Sequence, residues 1–433
     1  VRILAPQPIM KNFLNKILLR SNNHNYLNTS INNLTKKTPI NKIFEAITLY
    51  SSEAEIRYVG GCIRKIISRE RVDDIDLATN LLPNQVCDAL KKNNISYYES
   101  GIEHGTITAI IDANKFEITT LREDVYTDGR HAKVKFSKDW KKDASRRDFT
   151  INSIYSNQSG NLFDPYNGKE DLENGFVNFI GDANTRIKED YLRILRYLRF
   201  FLNYSKQPHN LKIFKILKMN IGGISKLSKE RLLDELKKII KLDTVEKLSN
   251  DKLSLELFLM IFPEIKNIEI LSKLNLNYKK ILKEKDFIFL LSLMIIDNTD
   301  NAEYFLYKFN ISKKDQKRIK IISNFYKEKI SNKSFSERSM NKVFYYSGKE
   351  AVDDILCFKM VKYRSYNKNL MQLRKLFKIR NIPKMPVGAD ILMTKYQISE
   401  GKQLGHKLKK IEEKWVDNNF QISKLQIENI IND

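Results

Sequence analysis

The spacing of hydrophobic and polar positions changes character near residue 185. Before it, helical and strand periods alternate. "NKIFEAITLY" (41–50) predicts a helix. "EIRYVGG" (55–61) predicts a strand ending in a glycine turn, "CIRKIISRE" (62–70) a short helix, and "VDDIDLAT" (72–79) a second strand. "LPNQVCDALKKNN" (82–94) has helical spacing, with Pro83 in its first turn. In "GTITAIIDANKFEITTL" (105–121) two alternating runs flank "DANK", which predicts a β-hairpin. "VNFIG" (177–181) predicts another short strand.

After residue 185 the apolar spacing is three and four, and proline and glycine become scarce. "IKEDYLRILRYLRFFLNY" (187–204), "SKERLLDELKKIIKL" (228–242), "SLELFLMIF" (254–262) and "KDFIFLLSLMII" (285–296) all predict helices. No fixed-period repeat appears. "RNIPKMPVGAD" (380–390) marks a break before a last helical pair. The predicted class is α+β: a small mixed α/β head over 41–180, then an all-α neck (181–245), body (246–380) and tail (381–433). Residues 1–40 are expected to be a poorly ordered extension, with an organelle-targeting segment as the alternative.

Composition adds a partner class. Lys and Arg number 76 against 52 Asp and Glu, a formal net charge of +24. A polyanion such as nucleic acid fits that balance. A Lys- and Asn-raising AT-rich genome would produce the same charge. The three cysteines, Cys62, Cys87 and Cys357, form no CxxC pair. That argues against a disulfide framework or a zinc site and suits a reducing cytoplasm. No apolar run approaches the length of a membrane-spanning helix, so no membrane partner is expected.

Against this basic background, "DDIDLATN" (73–80) concentrates three aspartates. On a strand, Asp74 and Asp76 share one face while Ile75 and Leu77 take the other. Two carboxylates so close repel unless a cation lies between them. Hard oxygen ligands suit Mg²⁺, which commonly borrows phosphate oxygens from its substrate. A solvated edge strand is the plainer alternative. Gly60 and Gly61 end one strand and open a helix, with Arg64 one turn on, an arrangement that suits a phosphate. Glu117, with Phe116 and Ile118 facing away from it, is a candidate third carboxylate. "SRRDFTINSIY" (145–155) offers Arg147 as a phosphate clamp. "NLFDPYNG" (161–168) reads as turn scaffold. In "EDYLRILRYLR", Asp190, Arg193, Arg196 and Arg199 recur every three residues, which on one helix makes a slanting polar row. Such a row is also what an ordinary intrahelical ion-pair series looks like.

The order VGGxxR, DxD, GxxHGT…E, RRDFTIN, DPxxG, EDxxR resembles the class II tRNA nucleotidyltransferases of the polymerase β superfamily, which also contains bacterial poly(A) polymerases. The resemblance is dense over 56–240. It implies a polymerase-β-like head, with Asp74 and Asp76 as metal ligands and Glu117 as a further catalytic carboxylate. It implies that Gly61, Arg64 and Arg147 contact the incoming triphosphate. Asp190 and Arg193 would read the base edge of CTP or ATP, and Arg196 and Arg199 would extend that nucleotide site. "DVYTDGRHAKVKF" (124–136) corresponds to the family's flexible loop, and "KERLLDELKKII" (229–240), with Glu230 and Arg231, to its last neck motif. Lys65 stands where many relatives carry Asp. The implied activity is addition of C, C and A to tRNA 3′ ends from CTP and ATP with Mg²⁺, and no DNA is expected as partner. Poly(A) polymerase, or a tRNA enzyme restricted to CC or to A, is the alternative within the same chemistry.

Overall fold

A computed structural model describes residues 26–127, 132–272, 274–328 and 332–432. Two compact units meet between Leu227 and Ser228, within the segment expected to be the neck. In the first unit, residues 26–37 form helix α1, although they were expected to belong to a poorly ordered extension. Leu27 and Ile31 are buried in the core and Leu34 packs against it. That spacing is one face of a helix, and the many Asn residues around it mask the stripe. Residues 1–25 of the extension lie outside the described residues.

Next come α2 (Asn41–Thr48), β1 (Ile56–Val59), α3 (Gly61–Ile67), β2 (Asp76–Thr79), α4 (Pro83–Lys92), β3 (Ser96–Gly101), β4 (Thr106–Ile111) and β5 (Asn114–Thr120). The 105–121 hairpin is thus present as β4–β5, paired from Thr106↔Thr119 to Ile111↔Asn114. One seven-stranded sheet runs β3-β4-β5-β2-β1-β8-β9, where β8 is Tyr155–Ser156 and β9 is Leu162–Phe163. Strands β2 and β5 are parallel, while β1 is antiparallel to both β2 and β8. Leu77, Ile107, Ile118 and Ile63 are completely buried beneath the sheet's inner face.

Two strand expectations need correction. The strand predicted over 72–79 begins only at Asp76, so Asp74 lies in the segment leading into it. "VNFIG" forms no strand; only an isolated bridge joins Phe149 and Phe179. The "DVYTDGRHAKVKF" segment contributes to a separate two-stranded ribbon, β6 (Arg122–Thr127) with β7 (Ala132–Phe136). Its tip, 128–131, lies outside the described residues.

The unit continues with α5 (Trp140–Ser145), α6 (Gly168–Asn174), α7 (Ala183–Glu189), α8 (Leu192–Tyr204) and α9 (Leu211–Met219). The helix predicted over 187–204 is therefore two helices. Asp190 sits at the break in an extended conformation (φ −152°, ψ 106°). Its side chain accepts from the Leu192 amide at 3.1 Å, a local bond that competes with helix continuation.

The second unit is helical in its described elements, beginning with α10 (Lys229–Ile239), whose Ser228 cap accepts from the Arg231 amide. Its longest helix, Glu337–Lys362, is kinked where Gly348 leaves helical geometry. A buried ionic network secures it: Asp354 accepts from Lys285 at 2.8 Å and Arg318 at 2.6 Å, and Asp353 accepts from Arg374 at 2.5 Å. The last helices share a small core of Val387, Leu392, Leu404, Ile411 and Ile427.

The DPYNG turn is scaffold, as its residues suggest. Both carboxylate oxygens of Asp164 accept backbone amides, from Gly168 and Lys169 at 2.8 Å each. A β-carbon on Gly168 would lie 2.0 Å from the Thr150 carbonyl oxygen. Gly168→Ala is therefore expected to lower stability by about 1–3 kcal/mol through overpacking, read as a lower urea midpoint with an unchanged denaturant slope.

Candidate active site

Strand β2 places Asp76 opposite Glu117 in the parallel register with β5. Leu77 next to Asp76, and Phe116 and Ile118 on either side of Glu117, are buried. Alternation therefore turns both carboxylates to the other face, as the Glu117 pattern predicts. Burial, then Glu117, push the Asp76 carboxyl above its ordinary range; Arg147 opposes this, Asp74 adds to it, and Arg64 opposes it. Four other predicted residues thus act on Asp76 here: Asp74, Glu117, Arg64 and Arg147. Asp73 belongs elsewhere, pairing with Lys65 at 3.3 Å and Arg71 at 3.2 Å. Lys65, the departure from the family pattern, thus holds a flanking charge.

The glycine pair makes room for this cluster. Gly60 has φ +62°, and a β-carbon there would lie 3.1 Å from Arg147 Nη1 and 3.3 Å from the Asn152 carbonyl oxygen. Only glycine fits both the conformation and the space. A β-carbon on Gly61 would stand 3.7 Å from Asp76 Oδ2 and 4.0 Å from Arg64 Nη2. The turn, the aspartate and the arginine therefore share one small volume.

The arginines are held firmly. Arg147 donates to the Tyr155 hydroxyl at 3.0 Å and to the Asn152 carbonyl at 3.3 Å, and faces Asp143 at 3.5 Å. Asp143, buried, also accepts from the Tyr155 hydroxyl at 2.6 Å and from Arg146 Nε at 2.9 Å. Burial works to raise its carboxyl, but Arg146, Arg147 and Tyr155 outweigh that and hold it below its usual range. Arg64 Nη1 donates to Asn152 Oδ1, and its Nε is buried with no partner among the described residues. Arg196 donates to Asp148 Oδ2 through Nε and Nη2, both at 2.6 Å.

The buried Phe200 ring gathers three of these cations. The guanidiniums of Arg199, Arg64 and Arg196 lie 4.2, 4.7 and 5.5 Å from its centre, within cation–π range. Arg193 faces differently. Its Nη1 donates to Glu189 Oε2 and to the Arg186 carbonyl, both at 2.6 Å. With the helix broken at Asp190, the predicted slanting row holds only for Arg193, Arg196 and Arg199, which share α8. Asn152 belongs to the RRDFTIN motif but has no role of its own from sequence, and Asp143, Tyr155, Glu189 and Phe200 are not candidates there. The Phe after "YLR" carries no signal there that separates it from core residues.

Among the described residues, no group of three or more His, Cys, Asp or Glu is placed to hold a metal by itself. Two aspartates with substrate oxygens are the arrangement Mg²⁺ commonly takes.

Residues 56–178 match the family described as the poly A polymerase head domain. Over 380 residues, the chain is 34% identical to the mouse (Mus musculus) protein named mitochondrial CCA tRNA nucleotidyltransferase 1, spanning 86% of this chain and 85% of that one. The chain belongs to the CCA tRNA nucleotidyltransferase family. A bacterial member, the CCA-adding enzyme of Staphylococcus haemolyticus, is 37% identical over 203 residues, which is 46% of this chain and 48% of that one. The fold agrees with that of the Bacillus stearothermophilus CCA-adding enzyme solved with CTP: TM-score 0.66 at 18% identity, covering 91% of this chain and 97% of that one.

Asp148 supplies a pH test. Burial would raise its carboxyl, but Arg196, Asn152 and Arg193 hold it at about 2, below the ordinary 3.8. The unfolded chain therefore takes up this proton first on acidification, so the stabilisation is complete above the ordinary value and lost as pH falls toward 2. In urea melts, wild type should exceed Asp148→Asn in stability, with the gap narrowing by about 1 kcal/mol as pH falls from about 5 to 3. A gap that stays constant over that range contradicts the assignment.

Proposed function

We propose that this protein adds C, C and A to the 3′ ends of tRNA, using CTP and then ATP and releasing pyrophosphate. The carrying observation is the 34% identity, across 86% of the chain, to a protein named CCA tRNA nucleotidyltransferase. The paired carboxylates beside fixed arginines support the same chemistry. The poly(A) polymerase reading draws on the head match alone, which spans 56–178, whereas the CCA match reaches well into the helical body.

Asp74 and Asp76 would hold Mg²⁺, which when bound activates the RNA 3′-hydroxyl and neutralises charge on the departing pyrophosphate. The chain's own residues position and balance charge. Glu117 raises the cost of leaving Asp76 ionised without a cation. Gly61 brings the turn's backbone close to Asp76, so that a β-carbon there would stand in van der Waals contact with the carboxylate. Arg64 and Arg147 face the triphosphate, fixed in advance by Asn152, Tyr155 and Asp143, so little ordering is left for the reaction step. Asp190 and Arg193 read the base edge, and Arg196 and Arg199 extend that site along α8. An enzyme selecting a nucleotide without a nucleic-acid template must supply such donors and acceptors itself. The basic helical body and tail (246–433) bind the RNA backbone.

The compartment is a separate matter. The cytoplasmic expectation stands beside a mouse relative named as mitochondrial. No helix among the described residues is long and apolar enough to cross a membrane.

Incubation with tRNA lacking its CCA end is the test. CTP alone should add two nucleotides, and CTP with ATP three. Long A tracts on an unstructured RNA would instead assign a poly(A) polymerase. Asp76→Ala should lower incorporation at least about a hundredfold. Arg193→Ala should relax selection of CTP and ATP over UTP and GTP while leaving tRNA affinity intact; equal loss of both contradicts the base-reading role.

A further inference from the structure

We infer that Asn152 is a positioning residue that ties the triphosphate arginine, Arg64, to the nucleotide-reading helix α8. The inference rests on the reading of Arg64 given above. Asn152 is 6% exposed and ends the short 3-10 turn Thr150–Asn152. Its Nδ2 donates to Asp148 Oδ1 at 2.8 Å, and its Oδ1 accepts from Arg64 Nη1. The other oxygen of Asp148 takes both donors of Arg196. A continuous chain therefore runs Arg64–Asn152–Asp148–Arg196, from the glycine turn to α8.

The chemistry of the chain fixes its direction. An ionised carboxylate only accepts and a guanidinium only donates. The group between them must donate on one side and accept on the other, which an amide does and a carboxylate does not. Both ends are buried, so removing the amide strands the Arg64 donor and leaves Asp148 Oδ1 to the Phe149 amide at 3.0 Å. The Asn152 carbonyl also accepts from Arg147 at 3.3 Å. One residue thus touches both predicted phosphate arginines while bonding to the carboxylate that anchors α8. Phe200 backs the arrangement by lying against Arg64 and Arg196 at once. Arg64 keeps its buried Nε as a donor with no partner among the described residues.

The test is a double-mutant cycle with Arg64→Ala, Asn152→Ala and the double variant, and Asn152→Ser as a second probe of the same position. KM for CTP, KM for ATP, inhibition by pyrophosphate, kcat and KM for tRNA are measured for each. Asn152→Ala and Asn152→Ser should each raise both nucleotide KM values and weaken pyrophosphate inhibition by about tenfold. The tRNA KM should stay within about twofold, a split between nucleotide and tRNA that general loss of structure would not produce. The double variant should be no worse than Arg64→Ala alone. Nucleotide KM values unchanged in both Asn152 variants, or losses that multiply in the double variant, overturn the inference while leaving the Arg64 reading intact. Arg64→Ala with unchanged nucleotide KM and pyrophosphate inhibition overturns both.

Discussion

Asp76 and Glu117 face each other across two parallel strands, and the protein is built around that unfavourable pair. Partial burial takes from Asp76 some of the water that would spread its charge. The sheet enforces the juxtaposition, because Leu77 and Ile118 are pinned in the core on the opposite face. A one-residue slip of either strand would bury a carboxylate, so the register is tightly specified. Relief comes from cations: Arg64 and Arg147 in the protein itself, and Mg²⁺ in the proposed reaction. A small acidic focus inside a basic chain is the consequence.

The arginines bring their own demand, since guanidiniums gathered near one another repel. Three devices hold them. Asp143 and Asp148 are buried counter-charges, each carrying more than one bond from arginine. The Phe200 ring offers its face to three guanidiniums. Asn152 joins Arg64 to Asp148. Rigid donors lose little freedom when a nucleotide arrives. They also bind α3, α5 and α8 into one unit, so the same bonds stabilise the fold and shape the site.

The sequence revealed the parts of this arrangement that obey a short period. Period two separated Asp76 and Glu117 from their buried neighbours, and the glycine pair marked the turn beside them. Where period two was extended too far it misled: Asp74 belongs to the lead-in to β2, and "VNFIG" pairs through a single bridge. The α7–α8 break was hidden because apolar spacing continues across Asp190, while the cause is a bond from its own side chain. Strands β8 and β9, two residues each, are too short to carry a pattern. Asn152, Asp143 and Phe200 were illegible for a different reason. Their meaning lies in contacts such as Arg64–Asn152, 88 positions apart, and no local rule separates a bonded buried Asn from a turn Asn. Helix α1 shows the converse: Leu27, Ile31 and Leu34 carried a helical stripe that composition obscured.

The most direct measurement is the thermal stability of wild type and Asp76→Asn with and without Mg²⁺, in the absence of nucleotide and RNA. If repulsion around Asp76 is what the site is built to hold, Asp76→Asn is the more stable protein without Mg²⁺. Adding Mg²⁺ then raises the melting temperature of wild type and leaves the variant almost unmoved. A variant that is less stable than wild type without Mg²⁺ and gains as much from the cation would contradict the account.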